Sequence, residues 1–449
     1  MNFLKDKEFF SIMLKIAIPI TLQNLILSAL NMVDTLMVGR LGEAAIAGVG
    51  LGNQYFFVLN LLLFGIVSGT SIYTAQYWGN KDMKGIHRVM GISLFSAGLA
   101  SIVFMLFGLL MPEQILSIFS KDPEVISLGT DYLKVVAISY PMTAVTFAYV
   151  FTLRGTGEVN LPMYASTIAF FSNTILNYLL IYGKFGFPML GVAGAAVATV
   201  FARVTEMVII LSVTYYKKLP AASRWRELTD INFNFVKKFF NVTIPVILNE
   251  TMWGLGMTLY AIAYARMGTE AFASTNISGT VERIAWVFLM GIGNSCAVMI
   301  GNRIGENDKD MAYEYAKRFL IMGVVVAAVM GVTILLTARW ILMPFNVSDI
   351  VRTYSYNNLI VFISFLLIKC CNYIIVVGIL RSGGDTKFCM LLDIAGVWFV
   401  GVPLAFLGAL YFKLPIYYVY ALVSMEEVLK IFFAVPRVLS KKWINNLTV

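Results

Sequence analysis

One carboxylate, Asp34, interrupts an apolar run, KIAIPITLQNLILSALNMVDTLMVG, that is long enough to cross a bilayer. An ionisable group in hydrocarbon is costly, so it marks an ion or substrate path as the first hypothesis. Asn24, Ser28, Asn31 and Thr35 recur at i, i+4, i+7 and i+11 and therefore share one helix face, which Asp34 borders. The stripe has two readings: an ion or proton pocket, or hydrogen-bond glue between helices. A carboxylate suits coupling because burial favours its neutral form, whereas a bound cation or entering water favours its charged form. Asn173 and Asn177 lie one turn apart in another apolar run and are candidates to face Asp34. Amide oxygens ligate hard cations well, although packing alone would also account for them.

The second half has its own polar residues. Glu250 is a further acid in an apolar run, and Lys369 is an ammonium in the middle of another. An unpaired buried charge is costly, so Lys369 calls for an acid, with Glu250 a candidate. Arg203 with Glu206, and Glu426 and Glu427 with Lys430, have the spacing of pairs neutralised within one helix. Glu282 and Arg283 are expected near a helix start, in contact with water. Candidates for a substrate path are Asn24, Asn372, Lys369, Tyr140, Trp253 and Tyr260. The aromatic ones offer cation–π faces to flat cations, the alternative being interfacial belts and lipid-facing bulk.

Catalytic and metal chemistry have little support. His87 is the only histidine and is expected in a basic loop, and the four cysteines show no metal spacing. With no nucleophile–base set, an enzyme is not expected. No cofactor is expected, and no metal beyond Na+ at Asp34.

Composition says what must position these groups. The chain is 59% hydrophobic and only 13% charged, against about 25% charged in soluble proteins. Most of its surface must face lipid. Continuous apolar runs of about 20 residues argue for helices rather than a barrel. The expected fold is all-α and membrane-integral, with twelve transmembrane helices in two pseudo-symmetric six-helix bundles. The spans read as 12–38, 52–78, 91–112, 132–153, 162–183, 190–216, 239–264, 277–301, 315–338, 354–380, 388–410 and 416–438. MNFLKDKEFF is charged and short, so no cleavable signal is expected.

The halves are copies. Pro19 and Pro245, Arg40 and Arg266, and Gly42 and Gly268 share an offset of 226, and LRGTGE at Leu153 returns as LRSGGD at Leu380. Parallel repeats of this kind carry a transport path between them. The expected domains are an N-terminal lobe at 1–216, a cytoplasmic linker at 217–238 that lets the bundles move, and a C-terminal lobe at 239–449. Asp34 is matched by Tyr260 and Glu250 by Asn24, so the scaffold is duplicated and its chemistry is not. An inside N-terminus puts 21 Lys and Arg, Lys5 among them, on the cytoplasmic side against 8 outside. The net charge of +9 thus reads as orientation rather than nucleic-acid binding.

In sequence order, the proline-led first helix ending VDTLMVGRLGEAAIAGVG, its copy from Pro245, Gln76 and Gly79, the LRGTGE and LRSGGD loops, and LGVAGAAVAT resemble the multidrug and toxic compound extrusion (MATE) family. The resemblance covers essentially the whole chain. It implies two six-helix lobes about a V-shaped cleft and a secondary antiporter exporting organic cations against inward H+ or Na+. On that resemblance Asp34 falls on the helix-one aspartate proposed as the cation or proton site. Glu250 falls on a helix-seven glutamate, and Asn173 and Asn177 on positions held elsewhere by Asn and Asp. Cys370 stands where other bacterial members have a helix-ten aspartate. The implied setting is a monomer in the cell inner (plasma) membrane, multi-pass, with both termini cytoplasmic. The alternative is a lipid-linked saccharide flippase of related fold, whose cavity would be more cationic; Arg203 and Lys369 are candidates for that role.

Overall fold

The computed structural model describes residues 6–448. Lys5 lies outside them. Among the described residues the chain is helical, without strands. Six long helices come first: α1 Lys7–Gly39, α2 Glu43–Gly79, α3 Met83–Leu110, α4 Pro123–Gly155, α5 Asn160–Tyr182 and α6 Gly191–Tyr216. Six follow: α7 Phe233–Ala265, α8 Thr269–Gly305, α9 Lys309–Leu342, α10 Asp349–Leu380, α11 Thr386–Tyr411 and α12 Ile416–Leu439. The fold is the expected twelve-helix membrane architecture. Several helices outrun their apolar spans. The expected fourth span began at 132, whereas α4 begins at Pro123, because the hydrophobic run marks only the part in hydrocarbon and the helix continues beyond it.

Nine of the twelve are long and apolar enough to span by composition alone. The exceptions, α5, α7 and α12, fall short through polar content. They carry Asn173 and Asn177, Asn249 and Glu250, and Glu426, Glu427 and Lys430. The other polar groups in question, Asp34, Glu282, Lys369, Asn372 and Asp393, lie on α1, α8, α10 and α11, which stay apolar enough to span despite them.

Local breaks have identifiable causes. Pro141 lacks a backbone donor, and α4 tightens into a 3₁₀ turn at Ala137–Ser139 just before it. Three π-helical stretches, Ile374–Leu380, Val397–Gly401 and Leu407–Tyr411, widen α10 and α11. Gly42 and Gly268 start α2 and α8 at φ 117° and 116°. Only glycine adopts that backbone readily, which explains its recurrence at the repeat offset.

The chain forms two compact units. The N-terminal unit is Leu22–Thr243; the C-terminal unit comprises the described residues of Met1–Thr21 together with Ile244–Val449. The boundaries thus fall within α1 and α7, two or three residues after Pro19 and one or two before Pro245, and not at the 217–238 connection. The first turns of α1 belong with the C-terminal unit because Asp6 pairs with Arg318 and Phe9 packs edge-on against Tyr315 and Phe319. Gly291 on α8 leaves room for Thr21. The first turns of α7 belong with the N-terminal unit for the mirrored reason. Gly69 on α2 leaves room for Thr243, and Tyr73 stacks on Phe239 and donates to the Lys238 carbonyl at 2.8 Å.

The connection is no free tether. His87, buried in the first turns of α3 rather than in a loop, contacts the Pro220 carbonyl at 3.0 Å and Glu227 at 3.3 Å. Arg88 pairs with Asp230, and Gly91 admits the Leu228 carbonyl. All of these lie in the N-terminal unit. Lipid is as apolar as any core, so such units are held by close fit and hydrogen bonds more than by apolar burial.

Candidate ion and substrate site

In the N-terminal unit α5 brings its amides to Asp34. Asn177 Nδ2 donates to Asp34 Oδ1 at 2.6 Å and to Asn173 Oδ1 at 2.9 Å. Both amides are fully buried, and Asn177 Oδ1 and Asn173 Nδ2 have no protein partner. Tyr182 donates to the Met37 carbonyl at 2.7 Å and ties α5 to α1 one turn beyond Asp34. Asp34, Asn24 and Asn31 line a cavity of about 530 Å³, as do Tyr140, Phe56 and Phe147. Tyr140 is buried and its hydroxyl has no partner. A carboxylate held by an amide with a spare oxygen, at a cavity of this size, has the donor set for a proton or a small hard cation.

A polar chain runs along the same cavity. Arg154 donates to Gln23 at 2.6 Å, Gln23 to Ser166 at 2.9 Å, and Ser166 to Glu206 at 2.6 Å. Glu206 pairs with Arg203 at 3.4 Å, as the spacing predicts. Gln23 and Ser166 carry no sequence signal of function: each is a single uncharged polar residue in an apolar run.

The C-terminal unit departs from several expectations. Glu250 does not pair with Lys369; it lies 2.7 Å from Arg381. Arg381 and Arg154, expected among the loop charges, are both buried because each has an acceptor on the first helix of its repeat. Lys369 instead donates to Tyr420 at 3.2 Å, and Tyr420 to Glu282 at 2.8 Å. Glu282 is therefore well inside α8, not in water at a helix start. Tyr260 and Asn372, expected in a substrate path, are closed off at 4% and 3% exposure. Tyr260 donates to Glu426 at 2.6 Å and Asn372 to Glu427 at 2.7 Å. Trp253 is 42% exposed and joins neither network. Asp393 on α11 was missed, although an acid in the run CMLLDIAGVWF satisfies the criterion that singled out Asp34.

Comparison with known proteins fits this arrangement. The MatE family model matches residues 19–179 and again 245–407, once per repeat. The chain is 26% identical over 425 residues to the probable multidrug resistance protein NorM of Thermotoga maritima, covering 92% of this chain and 89% of that protein. It is 25% identical to the probable multidrug resistance protein YoeA of Bacillus subtilis, over 89% and 87% of the two chains. Its fold matches that of a multidrug resistance MATE family transporter of the MOP superfamily in its outward-facing conformation. That match has a TM-score of 0.87, 18% identity and 96% coverage of both chains. With both repeats matched and the fold shared throughout, the chain belongs to the MATE family of multi-pass membrane transporters.

Proposed function

We propose that this protein is a secondary antiporter that exports organic cations in exchange for inward H+ or Na+. The observation that carries the proposal is Asp34, held by Asn177, which is itself bonded to Asn173, at a cavity of about 530 Å³. The aromatic rings of that cavity suit flat cations. The names of the NorM and YoeA relatives supply the drug class. In the proposed cycle the coupling ion enters from outside and binds at Asp34, the transporter turns inward by rocker-type alternating access, and substrate is taken up. The protein acts as a monomer in the plasma membrane with both termini cytoplasmic, the orientation favoured by the loop charges. Glu250 is compensated by Arg381, so its role in this scheme is to hold that arginine.

The flippase alternative wants free cationic groups. Arg203 is paired with Glu206, and Lys369 is engaged with Tyr420, so neither is available for a pyrophosphate. Reconstituted liposomes with pH and Na+ gradients imposed separately, and ethidium as substrate, test the proposal. One gradient drives transport, and Asp34→Asn abolishes it without loss of folded protein. Undiminished gradient-driven transport by that variant removes Asp34 from the scheme.

A further inference from the structure

The connection between α6 and α7 presents a surface that the transport scheme does not use. It joins two membrane helices, so it lies at a membrane–water boundary by topology alone. It is also fixed in place. Tyr215 donates to the Ser223 carbonyl at 3.0 Å, the Leu228 carbonyl fills the space beside Gly91, and His87 holds the Pro220 carbonyl. A segment packed this closely has the means to bury its apolar side chains, and Ala221 and Leu228 are buried. Three aromatic rings are not. Tyr216 is 87% exposed, Trp225 78% and Phe233 80%.

Each of these rings has cations beside it. Lys217 and Lys218 follow Tyr216, Arg224 and Arg226 flank Trp225, and Lys237 lies one turn after Phe233 on the same face of α7. The two acids of the segment are already engaged. Glu227 accepts the Arg224 backbone N–H and lies beside His87, and Asp230 pairs with Arg88. Lys217, Lys218, Arg226, Lys237 and Lys238 are all exposed, and among the described residues none of them has an ion pair. The segment that follows α12 behaves in the opposite way. Trp443 is fully buried against Gly383, with its Nε1 donating to the Val438 carbonyl at 3.0 Å. Arg437 and Lys441, just before it, are paired with Asp385 at 2.6 Å and Asp310 at 3.4 Å.

We propose that the Tyr216–Lys238 segment is a docking surface for anionic phospholipid headgroups. Loop charge that only sets orientation calls for cations and not for exposed rings. At the polar boundary of a bilayer both have a place: the rings lie at headgroup level, and the cations meet lipid phosphates. Trp225 and Phe233 are the anchors, and Lys217, Lys218, Arg226 and Lys237 supply the charge. With its two acids engaged elsewhere, the segment offers no partner to the cation of a zwitterionic headgroup. It therefore selects headgroups of net negative charge.

The test uses the full-length protein in phosphatidylcholine bilayers, into which dibrominated phosphatidylglycerol is titrated, with dibrominated phosphatidylcholine as the control quencher. Trp225 emission is taken as the difference between the native chain and Trp225→Phe, and no transport is measured. Half-quenching is expected at a share of the anionic lipid at least about fivefold below that of the control, the effect of a single cation at a charged membrane surface. Lys217→Gln with Lys218→Gln should raise the share of anionic lipid needed by about fivefold or more and leave the control unchanged. Added salt should act in the same direction, because the cations are exposed. If the lysine pair does not fold, Arg226→Gln and the salt dependence of the native chain decide. Equal quenching by the two lipids overturns the proposal, since the ring is then interfacial without charge recognition. Absence of quenching by both places the segment in water and overturns it as well. Reversal of the phosphatidylglycerol effect by inorganic phosphate overturns it in favour of a site for the free anion.

Discussion

Arg154 and Arg381 hold the same place in the two copies of the fold, directly after the leucine of LRGTGE and LRSGGD, and both turn inward. Their partners differ by one functional group. Arg154 meets the amide of Gln23, whereas Arg381 meets the carboxylate of Glu250. In the N-terminal unit the arginine begins a hydrogen-bonded chain that passes through two neutral side chains, Gln23 and Ser166, and ends at Glu206, and Asp34 beside the cavity is held by the amide of Asn177. In the C-terminal unit the position matching Asp34 is Tyr260, whose hydroxyl belongs to a cluster of acids gathered on one lysine. The same backbone thus presents an amide-held acid at a cavity in one copy and a buried network of acids and cations in the other. Duplication fixed where the helices run; the side chains then diverged toward different electrostatic tasks.

The sharpest way to break this contrast is at its two arginines. Arg381→Ala leaves the Glu250 charge buried without its partner, a loss of about 3–5 kcal/mol, read as a large fall in thermal stability in detergent. Adding Glu250→Gln to that variant is expected to recover much of the loss. Arg154→Ala strands the neutral amide oxygen of Gln23, worth about 1–3 kcal/mol. If the two single variants lose equal stability, the difference between the units is not electrostatic.

Where the copies agree, substitutions should agree too. Gly42→Ala and Gly268→Ala each force a side chain into a backbone conformation that costs about 1–3 kcal/mol. The two losses are expected to match within experimental error, since φ and ψ are nearly the same at both glycines and no atom lies within 4 Å of a Cβ added at either. A clear inequality would mean that the two hairpins bear different loads despite the shared geometry.

Much of this was legible in the sequence, and the limits follow from what a linear pattern encodes. Twelve helices follow from apolar runs, because bilayer thickness fixes their length. The shared offset of 226 gives the repeat, and Asp34 stands out because an acid in such a run is rare. The Asn173–Asn177 spacing placed both amides on one face, and α5 does bring them to Asp34. Pairing between helices is a different matter. The partner of Glu250 is Arg381 rather than Lys369, a choice made by which helix ends meet in space, and local spacing does not carry that information. The unit boundaries escaped for a similar reason. Composition marks the polar connection at 217–238, while the contacts of Thr21 and Thr243 divide α1 and α7 in mid-helix.

The smallest effect belongs to that connection, which only the N-terminal unit carries. Glu227 accepts the backbone N–H of Arg224 and lies beside His87, and together these hold its carboxyl below the usual glutamate range. A carboxylate with a lowered folded value stabilises the fold above the ordinary value of about 4.3, and that support is lost as pH falls through the lowered value. Hydrogen exchange of the 219–231 segment, corrected for intrinsic rates, is therefore expected to be steady down to about pH 4 and to quicken below it. Glu227→Gln should quicken it at neutral pH, and the difference from the native chain should shrink as pH falls and Glu227 is itself protonated. The change should stay within this segment and the facing turn of α3, leaving the α10 and α11 amides of the C-terminal unit unaffected. Spread of the effect into that unit would mean that the connection transmits strain between the copies instead of serving as part of one of them.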